Sequence, residues 1–175
     1  GKGVIRMTEV YVLVPRIKTG ATRFISIFLL VLTIGFLLVS CVGMYFLPVA
    51  MLSGLGWFLF NYMSNKEYEY SYFDGDVRFA RITNKARRKA LKGYTMEEVI
   101  QIAPSGDRSV SKFEMDKTAK VKDYTSGRKN APYYVMVVSN GANGQSIIRF
   151  EPDKAYLDAV CIKYRQKVVR RPEDQ

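Results

Sequence analysis

Histidine is absent from all 175 residues, and that absence removes whole classes of chemistry. Ser-His-Asp and Cys-His nucleophile systems and His-ligated metal sites all need an imidazole. Cysteine is scarce: Cys41 and Cys161 form neither a C-x-x-C nor a zinc spacing. Both read as small buried apolar residues suited to a reducing compartment, with no disulfide framework of the secreted kind. Phosphate-binding loops are missing too. There is no G-x-x-x-x-G-K-[ST] and no G-x-G-x-x-G between a strand and a helix, which argues against nucleotide hydrolysis. Charge itself is missing from one stretch, because 42 consecutive residues between Arg23 and Lys66 contain no Asp, Glu, Lys or Arg. An ordinary soluble chain does not sustain such a run.

Residues 24–63 form an apolar block twice the roughly 20 residues that one helix needs to cross a hydrocarbon core. Two spans are expected, about 24–43 and 46–63, joined as a hairpin. The first holds 14 Leu, Ile, Val or Phe in 20 positions, enough to insert unaided. The second holds eight such residues with Pro48, Gly54 and Gly56, so its insertion leans on the first. Pro48 suits the first turn of a helix and Gly43 the turn before it. Ala50 and Gly54 make a small-xxx-small pair, the candidate helix-packing contact in the membrane.

Basic residues flank both spans, with Arg16, Lys18 and Arg23 before the first and Lys66, Arg78 and Arg81 after the second, while the turn between them is uncharged. The expected arrangement is a two-span protein of the cell membrane with both termini cytoplasmic. Residues 1–23 are then a basic cytoplasmic segment, in which Gly1–Arg6 ahead of Met7 read as an upstream extension or an expression scar. Two rival readings fit less well. A secretory signal leaves the second apolar run unexplained. Leu38-Val39-Ser40-Cys41 resembles a lipobox, but an apolar run instead of a polar tether follows Cys41.

Residues 64–175 carry 22 Lys or Arg against 15 Asp or Glu and form the expected cytoplasmic domain, β-rich with one C-terminal helix. Tyr68, Tyr70 and Tyr72 alternate with Glu67, Glu69 and Ser71 at the strand period, a stripe that reads as one wall of the packing. Asp74-Gly75 marks a tight turn. Further strands are expected over Val77 to Thr83, Lys89 to Tyr94 and Val99 to Ala103. Ser105 to Ala131 is polar and loop-like, with room for one short helix or strand. Tyr133 to Val138 reads as a central strand, and its partner Ser146 to Phe150 follows a loop of Asn-Gly pairs. Pro152-Asp153 opens a helix over about 153–164, whose Leu157, Val160, Cys161 and Tyr164 share one face.

Six or seven short, mainly antiparallel strands closed by one helix give the α+β layout of a pleckstrin-homology-like barrel, and a split αβ sandwich fits the same element order. Specific residues carry a resemblance as well. They are Glu9-Val10-Tyr11, Tyr68-Glu69-Tyr70, the run from Asn84 to Lys89, Ile102-Ala103-Pro104, the run from Lys122 to Gly127, and Phe150-Glu151-Pro152. On these, the span from about Glu9 to Val169 resembles an uncharacterised family of small integral-membrane proteins of Gram-positive, clostridia-like bacteria, a domain of unknown function. The resemblance implies a two-span anchor with a cytoplasmic domain and implies no activity.

No catalytic, cofactor-binding or metal-ligating set emerges, and no cofactor is expected. Adjacent Glu97 and Glu98 point to opposite faces of a strand, Asp74 and Asp76 sit where a turn favours acids, and Gly141-x-x-Gly144 lacks the helices of a nucleic-acid clamp. Lys85, Arg87, Arg88, Lys89 and Lys92 form the densest basic cluster. They are candidate contacts to anionic lipid, since a domain tethered at the bilayer keeps its cations near headgroups. Nucleic acid is not an expected partner, because no interleaved aromatics accompany the cluster. The expected partners are the lipid bilayer and a protein of unspecified identity, and no oligomeric state is implied. The function expected is a membrane-anchored, non-catalytic binding or scaffolding module. A membrane-bound enzyme without His chemistry, or an accessory subunit of a transporter, stands as the alternative.

Overall fold

The chain enters a sheet before it reaches any helix. In the computed structural model, which describes residues 9–175, Val10–Pro15 form strand β1; the stretch Gly1–Arg6 lies outside the described residues. Within the expected N-terminal segment 1–23, residues 10–15 are thus a strand, which the sequence reading did not assign. Val14 is buried, Val10 and Val12 pack against the same core, and Tyr11 and Leu13 face outward. Every position of β1 is apolar or Pro, so the period-two pattern that marks a half-buried strand was masked.

Helix α1 spans Gly20–Ser40, a short 3-10 turn covers Met44–Phe46, and helix α2 spans Leu47–Ser64. The first helix starts four residues earlier than the apolar run because Thr19 caps it, its hydroxyl accepting from the Thr22 amide at 3.2 Å. Pro48 lies in the first turn of α2. After α2 come β2 (Lys66–Phe73), β3 (Asp76–Thr83), β4 (Arg87–Ala90), β5 (Tyr94–Thr95) and β6 (Val99–Pro104). Helix α3 (Arg108–Glu114) and β7 (Lys120–Asp123) occupy the polar middle stretch, followed by β8 (Tyr134–Ser139), β9 (Gln145–Phe150) and helix α4 (Lys154–Tyr164).

Two compact units result. One gathers the described residues up to Arg16 with Glu67–Arg81 and Arg88–Gln175; the other gathers Ile17–Lys66 and Ile82–Arg87.

In the helical unit α1 and α2 are antiparallel neighbours. Ser26 Oγ donates to Asn61 Oδ1 at 2.9 Å, and the Asn61 amide donates to the Trp57 carbonyl at 2.8 Å. Ala50 is the buried residue of α2, and a Cβ added to Gly54 would meet Thr33 Cγ2 of α1 at 3.4 Å. Phe36 stacks on Phe46 at 6.3 Å. Large apolar side chains such as Phe24, Ile27, Val31 and Leu38 point outward from α1, and Met51, Leu52 and Phe58 from α2. Cys41 is exposed and Cys161 half-buried, both unpaired. That corrects the reading of Cys41 as buried: it is the residue that follows the last turn of α1.

In the β unit one sheet runs β1-β2-β3-β4 with β5 also paired to β3, and the other runs β6-β8-β9-β7. The strands form two sheets and no closed barrel, which corrects that part of the expected layout. The strand expected over Lys89 to Tyr94 breaks at Leu91-Lys92-Gly93 into β4 and the two-residue β5, so its ladder does not continue into β6. Gly93 suits the break, because a Cβ there would make a tight 3.3 Å approach to the Val77 carbonyl oxygen. The second departure is β7, which joins β9 in parallel, Lys120 opposite Ser146 and Asp123 opposite Arg149. The expectation is a mainly antiparallel domain, with no parallel pair assigned to any particular strands.

The larger core combines inward residues of both sheets with Tyr156, Leu157 and Val160 of α4. Tyr70, Phe79, Phe150 and Tyr156 meet edge to face at centroid distances of 5.5 to 5.9 Å. Such pairs contribute about 0.5–1.5 kcal/mol each beyond their area. Tyr70 and Tyr72 are buried, so the tyrosine stripe is a packing wall. Asp153 caps α4 by accepting from the Tyr156 amide at 2.8 Å, and Pro152 ahead of it stops the preceding strand from running on. A smaller core lies under α3, where Val110 packs on Ala103, Val135, Val137 and Ile147. Burial on both faces explains why 134–138 is apolar without alternation.

Candidate functional site

The five clustered cations lie in three different local settings. Lys85 lies in the β3–β4 turn with φ of +56°, next to Asn84 at +52°. Asn84 is tied to the end of α2: its amide donates to the Asn65 carbonyl at 2.6 Å, and the Asn65 side-chain amide donates to Asn84 Oδ1 at 3.2 Å. Arg87, Arg88 and Lys89 lie on β4, all exposed. Alternation sets Arg87 and Lys89 on one face and Arg88 on the other. Arg88 pairs with Glu69 at 2.9 Å. Lys92 stands beyond β4 with its ammonium 5.4 Å from the centre of the Tyr94 ring. The sequence cluster therefore divides into a turn, an exposed edge and a separate contact with Tyr94.

A second polar constellation, built on residues far apart in the chain, went unread in the sequence. Arg16, the residue after β1, donates from Nη1 to the Thr125 carbonyl at 3.1 Å and lies 3.3 Å from Asp123 Oδ1. Asp123 accepts from the Thr125 amide at 3.0 Å and hydroxyl at 2.6 Å. Burial alone would raise the Asp123 carboxyl, but the two Thr125 donors, with Arg16 and Arg149, hold it below the usual carboxylate range. Ser126, itself buried, donates from its hydroxyl to Glu151 at 2.9 Å. The Glu151 amide in turn donates to the Tyr70 hydroxyl at 3.3 Å, and that hydroxyl donates to the Tyr124 carbonyl. Burial pushes the Tyr124 phenol up to about 12 and raises that of Tyr70 further. The runs Lys122 to Gly127 and Phe150 to Pro152 thus meet around Tyr70, and Arg16 fastens the end of β1 to them. Every group in this constellation is spent on another protein group, so its chemistry is structural.

A groove of about 560 Å³ runs beside α4, lined by Asp158, Cys161, Ile162, Arg165, Arg170 and the C-terminal Gln175 among others. Arg170 pairs with Asp158 at 2.7 Å, while its Nε and Nη2 are buried without a partner. The acids noted near the first turn are used elsewhere, Asp74 on Lys163 and Asp76 near Arg78 at 3.9 Å. Among the described residues no group of three or more Cys, Asp or Glu is placed to hold a metal ion.

Comparison with known proteins agrees with this architecture. The family model described as Bacterial PH-like domain (DUF6106) matches residues 8–170, nearly the whole chain. No curated protein and no solved structure matches it. Two sheets with a C-terminal helix packed into the core, matched over that span, place the chain in the family of bacterial PH-like domains, a family of unknown function.

Proposed function

We propose that the chain is a membrane-anchored, non-catalytic binding module. In this reading α1 and α2 cross the bilayer as a hairpin, and the PH-like unit and both termini are cytoplasmic. The observation that carries it is the outer surface of the helices. Their 18-residue windows reach mean hydropathies of 2.3 and 1.4, and no residue of α1 is buried. Helices apolar all round belong in the core of a large protein or in lipid. The Ser26–Asn61 bond faces the partner helix, as a polar group in hydrocarbon must. Ala50 is buried and a Cβ on Gly54 would meet Thr33 of α1, observations that support a packing role for the pair in this reading. The turn carries exposed Val42, Met44 and Tyr45 and no charge, while the opposite ends are flanked by cations, a pattern that supports cytoplasmic termini in this reading.

The basic cluster keeps a narrower role in this reading. Lys85 and Arg87 belong to the same compact unit as the helices, through the Asn84–Asn65 bonds. At the end of α2 they would meet anionic headgroups, each contributing about 1 kcal/mol. Arg88 is already engaged by Glu69, and Lys92 turns to Tyr94.

Single-cysteine topology mapping tests the anchor. In a Cys41→Ser, Cys161→Ser background, Tyr45→Cys should react with an impermeant maleimide on intact cells, and Lys154→Cys only after permeabilisation. Alkaline carbonate should leave the chain in the membrane pellet. Extraction by carbonate, or labelling of Lys154→Cys from outside, would refute the arrangement.

A further inference from the structure

Three lysines from two distant parts of the chain converge on one groove of the PH-like unit. It has a volume of about 660 Å³ and lies between the segment after β4, strand β7 and the β8–β9 loop. Lys120 and Lys122 are two apart on β7, so their side chains leave the same face of the strand. Lys92 arrives from the break at Gly93, where the missing Cβ lets the chain close on β3. Two of the three share the buried Tyr94 ring as a neighbour: Lys92 lies 5.4 Å and Lys122 5.6 Å from its centre. Lys122 also donates to the Tyr94 hydroxyl at 3.0 Å. Among the described residues none of the three lysines forms an ion pair. The lining holds one carboxylate, Glu98, against three ammonium groups.

The opposite wall supplies neutral polar groups. Asn140 donates to Ser146 Oγ at 2.5 Å, which leaves the Ser146 hydroxyl proton free to donate in turn. Asn143 and the Gly141 backbone complete that side, held by a loop with positive φ at Gly141 and Gly144.

We infer that this groove is a binding site for a phosphate-bearing small molecule. Unpaired ammonium groups raise one another's energy when held together in a cleft, and a bound dianion relieves that repulsion. Lysine serves phosphate as a point charge on a mobile stem, and three such stems suit a tetrahedral anion better than a planar carboxylate. The volume falls within the roughly 300–1,000 Å³ of small-molecule sites, larger than a bare phosphate, and the Asn and Ser wall fits a hydroxyl-bearing body beyond it. The inference rests on the binding-module reading and gives that module a ligand class, while it is independent of how the chain is anchored.

The phosphate group can arrive in solution or on a lipid headgroup, and the test separates the two. The full chain in phosphatidylcholine nanodiscs is titrated with inorganic pyrophosphate by calorimetry. Binding should weaken about tenfold or more in Lys120→Gln and in Lys122→Gln, the loss expected of a charge-assisted contact. Lys122→Gln keeps a donor for the Tyr94 hydroxyl, so that contact is retained while the charge is removed. Lys122→Arg should retain most of the affinity, and Lys89→Gln, on exposed β4, should match the parent. Discs containing phosphatidic acid form the second arm. Lysine-dependent competition with pyrophosphate assigns the site to lipid headgroups, and unchanged titration assigns it to a soluble ligand. Absence of pyrophosphate binding, or an equal loss in Lys89→Gln and Lys122→Gln, overturns the site. Such a result with the expected cysteine labelling overturns the groove alone and leaves the anchored module standing.

Discussion

Replacing Arg16 with Met should loosen one strand of the PH-like unit and leave the rest intact. Methionine keeps the apolar stem and removes the guanidinium, so what is lost is the bond to the Thr125 carbonyl at 3.1 Å and the pair with Asp123 at 3.3 Å. A charge-assisted hydrogen bond contributes about 1.5–3 kcal/mol when shielded. The Arg16 and Asp123 side chains are 30% and 40% exposed, so solvent screening brings the expected loss down to about 1–2 kcal/mol. Amide hydrogen exchange of the full chain in detergent reads that loss locally. The amides of β1 should exchange about 5–30 times faster, because about 1.4 kcal/mol is a factor of ten in the opening equilibrium. Amides of β8, buried in both cores, should keep their rates. Gly127→Ala approaches the same contact from the other side: its Cβ would fall 2.9 Å from Arg16 Nε, at a residue with φ of +73°. It should reproduce the β1 signature and add about 1–2 kcal/mol of left-handed strain. Because both changes remove one contact, the double variant should cost less than the sum. Unchanged β1 exchange in Arg16→Met, or equal acceleration in β8, would refute the latch.

Leu157→Asp buries an unpaired charge in the larger core at a cost of several kcal/mol, enough to unfold a unit of marginal stability; a protease-resistant variant would show that the α4 face is not core. Tyr156→Phe should be neutral or stabilising by up to about 1 kcal/mol in thermal melts, because the buried Tyr156 hydroxyl has no partner. A clear fall in melting temperature would reveal a partner for it. Asp123, held below its ordinary value, contributes stability that is present above about pH 4 and lost as pH falls through its lower folded value. Asp123→Asn should therefore lower stability at neutral pH and flatten the acid limb of a melting-temperature profile, and two parallel acid limbs would contradict the assignment.

Elements with a strong local signal were legible in the sequence. The uncharged run, Pro48, Asp74-Gly75, the Asn-Gly loop and the Pro152-Asp153 helix start each specify their structure within a few residues, and the structure holds both helices, both turns and α4. What escaped depends on contacts between distant residues. Strand β1 is apolar at every position and becomes a strand by pairing with β2 across the helical insertion, Val10 opposite Tyr72 and Pro15 opposite Glu67. Strand β7 is four residues of Lys-Val-Lys-Asp that exist as a strand because β9 offers a parallel edge. The same reason governs the candidate sites. Linear charge density singled out Lys85 to Lys92, whereas the groove lined by Lys92, Lys120 and Lys122 draws on segments that no short window of sequence contains. Arg16 was read as a membrane-flanking cation, and its carboxylate partner lies more than a hundred residues away.

The place of the insertion bears on how the edge strand is held. Chain leaves the sheet after Pro15 and returns at Lys66, so β1 and β2 close a loop of 50 residues. The contacts Ser26–Asn61 and Thr33–Gly54 share one antiparallel register, which brings the start of α1 level with the end of α2. Paired helices therefore shrink the free links to Arg16–Thr19 and Asn65. Closure entropy grows as about 1.5RT ln n, so the paired hairpin lowers the cost of docking β1 by about 2 kcal/mol relative to a disordered insertion. That is comparable with the value worked out for the Arg16 latch. The two act at the same root, one by preorganising the ends of the insertion and the other by fastening the strand once it has docked. A helical hairpin that came apart would loosen β1 even with every contact of the latch intact, so the edge of the sheet reports on the pairing of the helices through chain connectivity alone.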